Sequence, residues 1–179
     1  MKKTELVFGL IAGGVVALWA ICGIAYCYST NRFEGSMLLG YISMILALSL
    51  AFVAVKNYRD KQNGGVISFC KAFRMALSIT AIASTVYVLA WVIDYYLFIP
   101  DFMDKFSAQM LRDVRASGAS KAVMDAQAAQ VASMKESYKS PVMVVLFTYL
   151  EILPVALFVP LVTALILKRK APAGNIAAS

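Results

Sequence analysis

The stretch VMVVLFTYLEILPVALFVPLVTALIL, residues 142–167, decides the fold, and its one charged residue is Glu151. A bilayer core about 30 Å thick takes about 20 apolar residues per helical crossing. A buried helix of a water-soluble domain seldom runs that long with so little charge. Working outward, three more stretches have the same character: residues 6–28 and 36–55 carry no charge, and residues 75–98 carry Asp94 alone. The whole chain follows suit, with 61% hydrophobic and 15% charged residues among 179. Ordinary soluble domains hold about 45–50% and about 25%. The spacing predicts an all-α, polytopic membrane protein with four transmembrane helices.

The first stretch follows Lys2 and Lys3, as the apolar part of a signal peptide would. It exceeds the usual 7–15 apolar residues of such peptides. Bulky Ile21 and Tyr26 stand just before Cys22 and Cys27, where cleavage wants small residues. We read it as a retained span.

Charge placement sets an expected orientation. Lys2 and Lys3, then Lys56, Arg59, Lys61, Lys71 and Arg74, then Lys168, Arg169 and Lys170 fall on one side, against Glu5 and Asp60. The opposite side is nearly balanced. The positive-inside rule then puts both termini in the cytoplasm. Anionic headgroups suffice to explain the net charge of +7, so no nucleic-acid partner is expected. The lipid bilayer is the first partner.

Between spans two and three, Asn63-Gly64-Gly65 signals a turn, and Phe69 and Phe73 share a face of the helix that follows. Residues 99–140 are predicted to form an extracytoplasmic helical hairpin between helices 3 and 4. Pro100, Asp101 and Asp104 suit the start of its first arm, and Met103, Phe106, Met110 and Val114 recur along one side. Ser117-Gly118 ends that arm, and Ser120 caps a second that runs to Tyr138. Each arm is expected to span about 18 residues, roughly 27 Å. Residues 171–179 read as a disordered tail.

Glu151 is the most informative position. It lies about 15 Å along the helix from Pro141, near the middle of the bilayer. A charge there costs about 2.5–3.5 kcal/mol on insertion scales, and intramembrane acids usually face a bundle interior and mark function. Burial favours the protonated acid. Pro154 and Pro160 predict kinks, because they leave the carbonyls of Leu150 and Ala156 without helical partners. The neutral glutamic acid, neighbouring hydroxyls or water then have acceptors to fill. In span three, Thr80, Ser84, Tyr87, Trp91 and Asp94 follow a 4-3-4-3 spacing along one face. Tyr87 matches Glu151 in depth, which predicts a hydrogen bond between them. Asp94 sits a turn from the outer surface beside Tyr95, Tyr96 and Phe98, in an aromatic belt within reach of water. Gly9, Gly13 and Ala17 form a small-residue face suited to tight packing within one chain or between copies of a homo-oligomer.

Much chemistry is absent. There is no histidine, so histidine-dependent nucleophile pairs do not arise. No Walker loop, dinucleotide fingerprint or zinc-helix motif occurs, and no metal or cofactor is expected. Cys22, Cys27 and Cys70 are scattered and read as inert thiols.

Several segments are similar to a bacterial family of uncharacterised four-span membrane proteins. They are Gly65-Val66-Ile67-Ser68-Phe69 with Phe73-Arg74, Trp91 through Pro100-Asp101-Phe102, Ser117-Gly118-Ala119, and Thr148-Tyr149-Leu150-Glu151-Ile152-Leu153-Pro154-Val155. The most specific element is Thr148, Glu151 and Pro154, spaced three apart inside the membrane. This chain has Cys70, Ala76 and Ala156 where many relatives have glycine, small-for-small changes that leave packing intact. The resemblance implies the four-span architecture and singles out Glu151, and it brings no activity. The leading expectation is a non-enzymatic accessory or scaffold protein that docks an envelope partner. The alternative is a small oligomeric transporter, or an ion- or proton-conducting protein, that uses Glu151.

Overall fold

The computed structural model describes residues 2–33 and 37–169. The expected tail at 171–179, and Glu34 and Lys170, lie outside the described residues. Seven helices follow one another: α1 (Lys2–Thr30), α2 (Met37–Leu48), α3 (Leu50–Gln62), α4 (Phe69–Leu97), α5 (Phe102–Ala116), α6 (Lys121–Ser137) and α7 (Pro141–Leu167). Four helical stretches are long and apolar enough to cross a bilayer: α1, the α2–α3 pair, α4 and α7. They mark the chain as a membrane protein. α1, α3 and α4 extend past the apolar run at their basic ends, where long basic side chains keep their stems against apolar surface and their charges in water. α4 thus begins at Phe69, with Lys71 and Arg74 in its first turns.

Span two is continuous but for Ser49. That residue keeps helical backbone angles, and its hydroxyl donates to the Leu46 carbonyl at 2.6 Å. α7 runs unbroken through both prolines, Pro154 and Pro160.

α4 occupies the centre, packed against α1 on one side and α7 on the other, with α3 also touching both α4 and α7. The interior is built largely from small residues. Ala12, Ala47, Ala51, Ala54, Ala72, Ala76, Ala83 and Ala164 are buried, whereas Leu18, Leu38, Leu39, Leu46 and Leu97 lie on the outside. A protein in water would invert that distribution. In lipid no hydrophobic force drives helices together, so close approach through small residues does the packing.

The α1–α4 contact shows how close. A Cβ placed on Gly9 would lie 2.7 Å from Ile82 Cβ, and one on Gly13 would lie 2.6 Å from Val86 Cβ and 2.8 Å from the Ala83 carbonyl oxygen. The small-residue face of span one is therefore consumed within the chain. It is not free to pair two copies, because α4 already fills it.

One end of the bundle is basic. Asn63, Gly64 and Gly65 make the expected turn, with both glycines at positive φ (61° and 77°). The Asn63 side chain accepts from Lys71 Nζ at 2.9 Å and Tyr58 at 3.3 Å, and donates to the Val66 carbonyl at 2.5 Å. Ile67 and Arg169 then exchange two main-chain hydrogen bonds, 3.0 and 2.8 Å, which fastens the end of α7 to this turn. Arg59 donates to the Leu167 carbonyl at 3.3 Å. A cation at the negative end of the α7 dipole is favourable. Phe69 and Phe73 stack at 5.9 Å on the predicted shared face.

At the other end, α5 and α6 pack against each other, tied by the Lys135–Asp104 ion pair at 2.5 Å. They span 15 and 17 residues, slightly shorter than expected. Gly118 takes the left-handed conformation (φ 71°) between them, and the Ser120 hydroxyl caps α6. Pro100 differs from expectation by lying ahead of α5 in a turn, with Asp101 as N-cap residue.

The α1–α4 contact yields a stability prediction. Gly13→Ala is expected to cost about 1–3 kcal/mol by overpacking. Gly14→Ala, which would meet nothing within 4 Å, leaves the thermal midpoint in detergent unchanged.

Candidate functional site: the polar face between α4 and α7

The α4 stripe is buried as its spacing predicts. Thr80, Ser84, Tyr87 and Asp94 are all inside, and Trp91 is half-buried. Thr80, fully buried, donates to the Leu77 carbonyl at 3.2 Å and across to the Ala156 carbonyl of α7 at 3.0 Å. Ala156 is the residue whose helical partner Pro160 removes, so one helix repairs the defect of its neighbour. Ser84 returns its hydroxyl to the Thr80 carbonyl at 2.8 Å. Thr148 does the same on α7, donating to the Val144 carbonyl at 2.7 Å, and so does not reach Glu151.

Glu151 faces outward. The α7 residues that turn inward are Val144, Thr148, Ile152, Val155 and Val159, and Glu151 lies on the exposed flank with Pro154 and Phe158. Among the described residues its side chain makes no hydrogen bond or ion pair. The expected Tyr87–Glu151 hydrogen bond is absent. Tyr87 points into the bundle, and the two groups come only within electrostatic reach. Tyr138 comes within the same reach from the α6–α7 junction, its ring stacked on Phe147 at 5.8 Å, one turn before Glu151. Burial pushes the Tyr138 phenol above its ordinary range, and the Glu151 carboxylate and Tyr95 add to the effect.

The end of the bundle opposite the basic turn carries an aromatic cluster. Trp91 meets Phe102 edge-on at 5.3 Å, Phe102 meets Phe33 at 6.2 Å, and Phe33 meets Tyr28 at 5.2 Å. The Tyr28 hydroxyl donates to Asp101 Oδ1 at 2.6 Å, and Lys105 holds Asp101 Oδ2 at 2.8 Å. The Lys105 ammonium also sits 4.1 Å from the Tyr28 ring centre, a cation–π distance. Lys105 and Tyr28 together hold the Asp101 carboxyl below the usual carboxylate range. Asp94, 9% exposed, is more deeply placed than its position near the helix end suggests, and its side chain has no hydrogen-bond partner among the described residues. An Asp101–Lys105 pair four apart was readable from the sequence. Tyr28, 73 residues away, was not.

Among the described residues no cluster of three His, Cys, Asp or Glu residues suits a metal ion. The three cysteines are free. What α7 does present is a carboxyl on its exposed flank, ten residues along the helix from Pro141.

A four-span, α-helical membrane protein is the class that these features define. The chain belongs to a family of proteins of unknown function, DUF4199, whose family model matches residues 7–169. No curated protein and no solved structure matches it.

Two measurements test the polar contacts. Thr80→Val leaves the Ala156 carbonyl unpaired and is expected to destabilise by about 1 kcal/mol, with Thr80→Ser restoring most of it in detergent melts. For Asp101 the folded-state pKa lies below the unfolded one. Its contribution is therefore whole above about pH 4 and lost as the pH falls through the folded value. The melting midpoint should drop as the pH falls below about 4, and Asp101→Asn should remove that part of the drop.

Proposed function

We propose that this protein is a non-enzymatic accessory or scaffold protein of the bacterial inner membrane that docks a membrane or envelope partner through α7. Glu151 carries the reading: an unpaired carboxyl on the lipid-facing side of a spanning helix. A polar group that faces hydrocarbon costs several kcal/mol unless something covers it. Among the described residues no group bonds it, so a protein surface is the natural cover. On the same α7, the Thr148 hydroxyl and the Ala156 carbonyl find partners inside the bundle, whereas the Glu151 side chain finds none there and is left for an external contact.

In this reading both termini face the cytoplasm, which agrees with the basic turn and the Arg59 and Arg169 contacts at that end. α5 and α6 then stand outside as a helical hairpin. Its exposed faces supply a second docking surface for an envelope component. The competing reading, a small oligomeric transporter or proton conductor, draws support from the Tyr87 and Tyr138 hydroxyls in electrostatic reach of Glu151.

A photoreactive phenylalanine in place of Phe158, on the Glu151 flank, separates these readings. Docking predicts that irradiation of native membranes yields protein adducts rather than lipid adducts, and that Glu151→Leu lowers their yield at least several-fold. Lipid adducts alone would overturn it. Proton or ion flux in proteoliposomes, abolished by Glu151→Gln, would replace docking with transport.

A further inference from the structure

The exposed flank of α7 has an order that the docking reading leaves unused. Phe147, Glu151, Pro154, Phe158, Leu161 and Leu165 recur at spacing 4-3-4-3-4. Glu151 and Pro154 are exposed, as are Phe158, Leu161 and Leu165 at 56%, 44% and 49%, while Phe147 is half-buried beneath Tyr138. That spacing is the heptad seam of two helices that wrap left-handedly around each other. Membrane helix pairs adopt this geometry, and a polar residue at one seam position fixes register and partner number.

We infer that the Glu151 seam of α7 is a self-association surface, and that its occupant is α7 of a second copy of this chain. The inference rests on the docking reading and names the partner.

Two copies inserted with the same topology bring their α7 helices together in parallel. In a parallel heptad seam, each position meets its own counterpart across the two-fold axis. Glu151 therefore faces Glu151. Two carboxyl groups are self-complementary when they share protons, since each offers an acceptor oxygen and, when protonated, a donor. One turn on, Pro154 leaves the Leu150 carbonyl without its helical amide, which places a second acceptor beside the carboxyl pair. A dissimilar partner would need its own donor at the matching depth. A second copy supplies one by symmetry. The pairing also explains why the span-one glycines are not the dimer contact: α4 already covers them.

The other exposed seam of α7, through Leu146, Leu150, Leu153 and Leu157, is apolar throughout and gives an internal control. In a background with Cys22, Cys27 and Cys70 replaced by alanine, single substitutions Phe158→Cys, Leu161→Cys and Leu157→Cys are oxidised in native membranes. The expected result is disulfide-linked dimer from the Phe158 and Leu161 substitutions, at least five-fold above the Leu157 substitution. Adding Glu151→Leu to Phe158→Cys should bring the yield down to the Leu157 level, while Glu151→Gln, which still donates and accepts, should preserve it. Single cysteines that leave Glu151 intact keep the test independent of any folding defect at that residue. Equal yields at all three positions would mean random collision and overturn the inference. If dimer is absent from both seam positions while photo-adducts to another protein persist and depend on Glu151, self-association fails and docking stands. If both the dimer and the adducts are absent, both readings fail together.

Discussion

Hydrocarbon offers no hydrogen bonds, and the protein answers that condition where Pro160 leaves a main-chain carbonyl of α7 open. The clearest case is the bond from Thr80 to the Ala156 carbonyl. Pro160 removes one amide from α7, and a fully buried hydroxyl on α4 replaces it. Because that hydroxyl is short, α4 and α7 must lie close together, and buried small residues, Ala76 on α4 and Ala156 on α7, suit such an approach. The same requirement reappears on the far side of α4, where Gly9 and Gly13 let α1 approach to van der Waals limits. α4 thus becomes the central helix because both neighbours need proximity to it.

Much of this was legible in the residues. Length and charge placed the four spans, the Asn63-Gly64-Gly65 turn, the Gly118 break and the buried stripe on α4. The freed carbonyl at Ala156 followed from Pro160 alone; of the expected remedies, the neutral acid, a neighbouring hydroxyl or water, the Thr80 hydroxyl fills it. The sequence could not say which way Glu151 faces. A helix that is apolar all round has no polar side to orient it, so position along α7 gave depth but not direction. For the same reason a match in depth between Tyr87 and Glu151 did not become a hydrogen bond. The Gly9–Gly13 face was read as a surface, but which helix covers it is a matter of tertiary packing that no local pattern encodes. The Tyr28–Asp101 bond likewise joins segments far apart in the chain.

The two ends of the bundle use different devices. At the end opposite the basic turn an aromatic cluster and the Tyr28–Asp101–Lys105 set gather the end of α1, Phe33 just after it, α4 and the start of α5. Aromatic side chains suit the membrane boundary, where one edge is apolar and the other wet. The basic end relies instead on main-chain hydrogen bonds and a cation at a helix terminus, interactions that survive contact with water.

The paired hydrogen bonds between Ile67 and Arg169 have a bearing on biogenesis. They join a turn made early in synthesis to a residue that leaves the ribosome about a hundred positions later. During translation at about 5–20 residues per second, α1, α3 and α4 have several seconds to settle before their last neighbour is released. The clasp is therefore a late-closing step, and until it forms the Ile67 amide has no strand to pair with. A nascent chain waiting in that state exposes the α7-binding side of α4, Thr80 included, to whatever insertase or chaperone shelters it.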